Sequence, residues 1–477
     1  MAAPGRVGRF PYSDPQSAGL FNNPRYDRAV PKAPQIVTEL PGPRSRELLE
    51  RGSRSLYAGL AGDLAPLVIA RKDGHTVTDV DGNVFVDLAS ASASVPLGAG
   101  RADLIDPAVE AIRRIGNEDS HALACEGMFE LAERLVALAP GSISRVDIAL
   151  NGTEAVETAI RLMRRATGRP LILAFHGGYH GESVATATLG AEISAISAGD
   201  RALAPGFVHA PYPNPYRTPF APPRPGGSGD ATVDFIRDEL LFHLVDPGLI
   251  AGVIIEPILG SGGCIAPSDA FWRALTELCA EHGWLLCADE VKSGFGRGGT
   301  MLAVERWGVE PDLICLGKAM GGGAMPIGAV LGSEAVLGEV DDLSTGSTWA
   351  WLPGSVAAAL ATLDAYERED VLGNVIALEQ VGAESLGLLA GRHKRIGEVR
   401  TVGCFQAIEF VRDPMTRERD PELTEAAGAE ALRRGVLADA STTSLNLQPS
   451  LLMPPAELEA ALAIVAGAVD DLLAAGG

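Results

Sequence analysis

The 477-residue sequence predicts an α/β fold in which a largely parallel sheet is covered by helices on both faces, with a smaller α+β domain drawn from the two chain ends. Two observations carry this expectation. The middle of the chain alternates short, almost uninterrupted apolar runs with amphipathic helix-like stretches, and a strand is apolar along its whole length only when both of its faces are covered. The stretch Leu67 to Leu88, LVIARKDGHTVTDVDGNVFVDL, instead alternates apolar and polar residues, the mark of a sheet with one wet face.

Residues 1–45 are rich in Pro, Gly and Arg without periodicity and are expected to run extended. Residues 46–95 form the N-terminal part of the small domain, a small antiparallel sheet whose hairpin turn is Asp81-Gly82. Residues 96–360 form the large domain. Its strand candidates are RVDIAL (145–150), LILAF (171–175), AGVIIE (251–256), WLLCAD (284–289), DLICL (312–316) and IGAVLG (327–332). The Pro- and Gly-rich stretch between Ala210 and Asp230 is expected to be an irregular loop. Residues 361–477 complete the small domain with helices, one strand candidate (Cys404 to Val411) and a last helix after Pro454-Pro455.

Composition removes whole classes of function. The formal charge of -22 comes with no basic run, which argues against nucleic acid and against an anionic membrane surface. No apolar stretch approaches the ~20 residues that cross a bilayer, and no apolar run follows the N-terminal arginines as a signal peptide requires. The six cysteines are scattered, without C-x-x-C, and read as buried reduced thiols of a cytoplasmic protein with no metal site. Lysines number five: Lys32, Lys72, Lys292, Lys318 and Lys394.

In parallel α/β sheets ligands bind beyond the carboxyl ends of the strands, so the residues that follow each run are the ones to examine. Asn151-Gly152-Thr153 opens an amphipathic helix closed by Gly168 and Pro170. Such a helix start offers N–H groups and a positive dipole end to a phosphate, although Thr before Glu is also an ordinary cap. His176-Gly177-Gly178-Tyr179-His180-Gly181 combines glycines that let a ligand approach with an aromatic ring free to stack or to enter the core. Glu256, Asp289 and Lys318 end three successive runs, and Lys318 precedes a triple glycine that in isolation reads as a flexible turn. A lysine able to form a Schiff base, a carboxylate able to hold a pyridine nitrogen protonated, a phosphate cup and a stacking ring are the inventory of a pyridoxal 5′-phosphate site. A P-loop and a dinucleotide fingerprint are both absent.

The stretch ADEVKSGFGRGGTMLAVERWGVEPDLICLGKAMGGGAMPIGAVLG (288–332) resembles the signature region of class III aminotransferases, enzymes of fold type I that depend on pyridoxal 5′-phosphate. DVDGNVFVDLAS with PLG (79–98), NGTEAVETAIRL (151–162), FHGGYHGES (175–183), IIEPILGSGG (254–263) and STWAWLP (347–353) support it in order. The resemblance implies a mostly parallel seven-stranded sheet and a homodimer with shared active sites. It implies Lys318 as Schiff-base lysine and proton shuttle and Asp289 as partner of the pyridine nitrogen. Val291 and Tyr179 would cover the two ring faces, with His180 and Gly181 beside them. Gly152 and Thr153 match the phosphate cup, and Ser347-Thr348 the segment that reaches the phosphate from the neighbouring subunit. Glu256 matches the acidic residue of the Glu-Pro motif, with Arg297 near it.

Three departures bear on the substrate. Asn446 stands where many members place an arginine that holds the substrate's α-carboxylate, and Lys292 stands where most have a glutamine at the cofactor's phenolic oxygen. Trp349 and Trp351 replace small residues, either as walls of an apolar pocket or as interface packing. The expected activity is transfer of an amino group between an amine or amino-acid donor and a carbonyl acceptor such as a keto acid. Racemisation or epimerisation is the alternative on the same scaffold, with lyase or decarboxylase chemistry after it.

Overall fold

The computed structural model describes residues 33–56, 64–191, 204–220, 222, 226–338 and 347–475. The expected extended segment 1–45 lies largely outside them, and a helix already begins at Pro43 (Pro43–Gly52).

Three short antiparallel strands come first: β1 (Ile69–Asp73), β2 (Thr76–Asp79) and β3 (Val84–Asp87). The β2–β3 turn is held by Asp79, whose Oδ1 accepts the N–H groups of Asp81 (2.9 Å) and Asn83 (2.8 Å). An aspartate bonding to the backbone two and four residues on is what fixes a tight turn at Asp81-Gly82.

The central sheet has seven strands: β4 (Ile143–Ala149), β5 (Leu171–Phe175), β6 (Phe207–Ala210), β7 (Ile250–Ile255), β8 (Leu285–Asp289), β9 (Leu313–Leu316) and β10 (Gly328–Ser333), in the spatial order β4-β10-β9-β8-β7-β5-β6. Strands β5 to β9 are mutually parallel, and β10 runs antiparallel to both its neighbours, β9 and β4. Every expected run became a strand. Strand β6, FVHA, was not anticipated: it is a four-residue edge strand with one buried face, too short to announce itself by periodicity.

Alternation along the strands divides the core in two. Leu173, Phe175, Val253, Ile255, Leu286, Ala288, Ile314 and Leu316 face the helices Glu126–Leu138, Asp269–His282 and Pro353–Arg368. Ile172, Ala174, Ala251, Ile254, Cys287, Leu313 and Cys315 face the other side, under Val156, Ala159, Ile160 and Met163 of the helix Gly152–Thr167. Burying a side chain of this size contributes roughly 1.5–3 kcal/mol, so these two layers fix the strand ends relative to one another.

The helix Pro353–Arg368 runs through residue 360, and the helix Val371–Arg392 follows. A third sheet contains β11 (Ile396–Val402), β12 (Phe405–Asp413), β13 (Glu418–Arg419), β15 (Asp439–Ala440) and β16 (Leu445–Leu447), while β14 (Val436–Leu437) pairs in parallel with β3 and completes the sheet at the start of the chain. The chain closes with the helix Pro455–Ala475. Sequence reasoning found β12 but not β11, because Glu398 and Arg400 interrupt the apolar pattern. The structure resolves them as ion-pair partners, with Arg400 donating to Glu398 and, at 2.8 Å, to Glu409 on β12.

Candidate active site

The carboxyl ends of β5, β7, β8 and β9 bring the residues read from the sequence together. Glu256 follows β7, is buried, and has both carboxylate oxygens engaged: Oε1 accepts from Tyr179 N–H (2.9 Å) and Oε2 from Gly260 N–H (2.9 Å). Burial pushes its carboxyl up, and the charge of His180 opposes that rise. Its place is therefore that of a brace between the loop after β5 and the turn 257–263.

Asp289 ends β8, where its Oδ2 meets His180 Nδ1 at 2.6 Å and its Oδ1 accepts Val291 N–H at 3.0 Å. Burial works against a charged His180 ring, but the bond to Asp289 and that carboxylate's charge outweigh it and raise the imidazole. A fully enclosed carboxylate is tolerated only when partnered in this way.

Lys318 follows β9 through Gly317, and its Nζ stands 5.7 Å from the centre of the Tyr179 ring. Tyr179 is itself anchored, its hydroxyl donating to Glu182 at 3.1 Å. Lys318, Asn151, Gly152 and the 323–327 turn line a cavity of about 410 Å³, together with Ser94. Ser94 was missed by sequence reasoning, since nothing in the run SASAS marks it. It reaches the site because the next residue, Val95, packs against Gly323, where a Cβ would lie 2.9 Å from Val95 Cγ2.

The helix Gly152–Thr167 is capped by Asn151, whose side chain accepts Glu154 N–H at 3.0 Å, so capping does not consume Thr153. Two glycines here are required by space. A Cβ on Gly152 would lie 2.5 Å from Val291 Cγ1, and one on Gly181, where φ is 127°, would lie 2.5 Å from Thr153 Oγ1. The helix start, Val291 and the His180-Gly181 turn thus form one close-packed cradle.

Other expectations need correction. Arg297 does not line an open pocket: it is buried, its Nη1 donates to the carbonyls of Pro449 (2.5 Å) and Cys404 (3.3 Å), and no carboxylate among the described residues pairs with it. Trp351 is also buried, its indole N–H donating to Gly328 O at 2.7 Å, while Trp349 is 52% exposed. The two are not a common wall, because residues two apart in this turn point to opposite environments. Ser347 caps the turn, its hydroxyl accepting Trp349 N–H at 3.2 Å, and Thr348 is exposed. Asn446 is buried on β16, accepting from Ser444 Oγ at 2.8 Å. Among the described residues no group of three or more His, Cys, Asp or Glu is placed to hold a metal, and no helix is long and apolar enough to cross a membrane.

The family model described as "Aminotransferase class-III" matches residues 58–469. The chain belongs to the class III aminotransferases. It is 33% identical to the 5-aminovalerate aminotransferase of Pseudomonas aeruginosa over 90% of this chain and 99% of that relative. It is 32% identical to the 4-aminobutyrate aminotransferase of Mycobacterium tuberculosis (92% and 98% covered) and 32% identical to the alanine/serine racemase of Pyrococcus horikoshii (92% and 93% covered). Among solved structures it resembles an amine transaminase from an uncultivated Pseudomonas species in its PLP-bound form, with a TM-score of 0.81, 30% identity, and 87% and 98% of the two chains covered. This class III aminotransferase is an enzyme of fold type I whose cofactor is pyridoxal 5′-phosphate. The residues present fit that group: a primary amine over an aromatic ring, a histidine-held carboxylate, and a cradle with no room for a Cβ at Gly152.

Proposed function

We propose that this aminotransferase takes its amino group from a primary amine at the end of an unbranched chain, an ω-amino acid, delivers it to a keto acid, and does so as a homodimer. The observation that carries the reading is Lys318 Nζ over Tyr179 at the mouth of a cavity, with Asp289 clamped by His180 beside it. Bound pyridoxal 5′-phosphate supplies the electron sink that lets the bond to hydrogen at the amine-bearing carbon break.

The protein's own residues do the rest. Lys318 Nζ removes that proton and returns one, from a position that its tether to β9 restricts. Asp289, held in one orientation by His180, would hold the pyridine nitrogen in its protonated form. Gly152 and Thr153 would hold the phosphate at the helix start, where N–H groups and the helix dipole favour an anion. Tyr179 and Val291 would cover the cofactor and exclude water from it, Gly181 allows Thr153 its position, and Glu256 fixes the backbone of Tyr179. Ser347 and Thr348 complete the partner's phosphate site. In this reading the cavity opens between a large domain, 96–360, and a small domain made of 46–95 and 361–477.

The two aminotransferase relatives named for ω-amino acids support the donor class. Support for the dimer comes from the helix Ala102–Ile115, which buries Leu104, Ala108 and Ala111 but leaves Ile105, Val109, Ile112 and Ile115 partly exposed along the adjoining face. An apolar stripe of this kind on a soluble helix marks an interface. The racemase relative favours a second reading, inversion of an α-amino acid.

One assay separates them. The holoenzyme is given 5-aminovalerate with a keto acid, and separately L-alanine alone followed by a chiral column. Amino transfer without inversion supports the first reading, and inversion without any acceptor requirement replaces it with the second. Lys318→Ala is expected to abolish both turnover and the visible absorbance that the enzyme's own lysine gives the cofactor; retention of that absorbance overturns the site assignment.

A further inference from the structure

Tyr212 follows β6 in the stretch that the sequence marks only as an irregular loop, and the chemistry above does not use it. It stands between Pro211 and Pro213, which restrict the backbone on both sides of it, and it is only 6% exposed.

Its ring and its hydroxyl reach two different elements. The ring meets that of Phe175, the last residue of β5, edge to face, with 6.1 Å between centres. The hydroxyl donates to the carbonyl of Glu256 at 2.9 Å, with the carbonyls of Pro257 and Ile265 at 3.5 Å. Burial and the charge of Glu256 push the phenol up, so it stays protonated and remains the donor. Glu256 has need of one: the ladder between β7 and β8 ends at Ile255 and Ala288, one residue short of it, and a carbonyl enclosed without a partner is costly.

Phe175 and Glu256 are the two supports of Tyr179. Phe175 leads directly into the turn that carries Tyr179, and the Glu256 carboxylate accepts Tyr179 N–H at 2.9 Å. The Tyr179 ring in turn has Lys318 Nζ 5.7 Å from its centre. One buried side chain thus braces both supports of the ring beside the reacting amine, while standing outside the wall of the Lys318 cavity.

We propose that Tyr212 is a positioning residue for amino transfer: its hydroxyl holds the Glu256 main chain where the carboxylate can fix Tyr179, and so keeps Tyr179 and Lys318 in register. The proposal rests on the roles given to Lys318 and Tyr179 above and extends them by naming the residue behind their alignment.

Tyr212→Phe removes the hydroxyl and leaves the contact with Phe175. Wild-type and variant holoenzymes are compared in kcat and KM for 5-aminovalerate with one keto acid, in the visible circular dichroism of the bound cofactor, which reports how its ring is covered, and in the urea midpoint. The variant is expected to lose about threefold to tenfold in kcat, the effect of one hydrogen bond, with KM within about twofold of the wild type. The visible ellipticity is expected to fall while the cofactor stays bound. In a Glu256→Gln background, where one of the two N–H groups loses its acceptor, the effect of the hydroxyl on both readouts is expected to shrink below about twofold. Unchanged ellipticity in Tyr212→Phe overturns the proposal; together with a lowered urea midpoint it assigns the hydroxyl to stability alone. A raised KM at unchanged kcat overturns it too, as does a full effect in the Glu256→Gln background. If the wild type transfers no amino group from any donor, the transaminase reading fails, while the ellipticity of the single and double variants still decides whether Tyr212 acts through Glu256.

Discussion

Glu290 is the neighbour of Asp289, and because successive side chains leave a strand on opposite sides, it enters the core rather than the site. Its Oε1 accepts Val304 N–H at 2.8 Å, its Oε2 accepts the Ser293 hydroxyl, and burial pushes its carboxyl up to about 7 from 4.5. An acid whose folded value lies above its unfolded one binds more protons when folded. Its contribution is complete below about pH 4.5 and is lost as pH rises through about 7. Thermal unfolding of the wild type is thus expected to fall from about pH 5 to about pH 8 relative to Glu290→Gln, a difference of up to ~3 kcal/mol. Parallel curves for the two proteins would show that Glu290 is already ionised at the lower pH. At this scale the strand-end positions of Asp289 and, one glycine further on, Lys318 were legible, because apolar runs lead directly to them. Arg297, Trp351 and Glu290 were not: a sequence shows that a polar residue is present, whereas its partners decide whether it faces a ligand or the core.

The connection from β3 into the central sheet contains an unusual element. Ser90, Ala91, Ser92 and Ala93 have φ of 46°, 51°, 56° and 67°, a turn of left-handed helix built from residues that carry a Cβ. Each such residue costs roughly 1–2 kcal/mol. Neighbours hold the turn in place: Asp87 Oδ1 accepts the N–H groups of Ala89 (3.0 Å) and Ser90 (2.9 Å), and Ser90 Oγ donates to Gln448 O at 2.7 Å. The turn delivers Ser94 to the Lys318 cavity, which ties the strain to the shape of the site. Ala91 and Ser92 are exposed, so glycine there removes strain without removing packing. Ser92→Gly is expected to raise stability by ~0.5 kcal/mol after the added unfolded-state entropy is subtracted, read as a higher midpoint in urea at unchanged slope; a lowered midpoint would mean that the turn is not strained. No sequence pattern announces this element, since left-handed backbone is normally read from glycine. The strands β5 and β8, by contrast, were legible to within a residue, because up to the terminal Asp289 of β8 every position in them is apolar.

For the molecule as a whole, the net charge of -22 describes the surface and says little about a site that brings Lys318 and His180 beside Asp289 and Glu256. Assembly is the property to test at this scale. Ile105→Asp combined with Val109→Asp places two charges on the exposed stripe of the helix Ala102–Ile115 without touching its buried side. Sedimentation is expected to show the mass of one chain instead of two, with amino transfer falling at least about tenfold if the partner's Thr348 completes the phosphate site. A variant that still sediments as a dimer would place the interface elsewhere. The sequence by itself determined the α/β class, the strand ends and the cofactor chemistry, since each is written in local patterns: burial in unbroken apolar runs, and reactive groups in the residue that follows each run. Only the tertiary structure decided which polar groups are already paired. It shows Glu256 spent on two backbone N–H groups, Arg297 on two carbonyls and Asn446 on Ser444. Pairing depends on residues far apart in the chain, so a reading along the chain does not contain it.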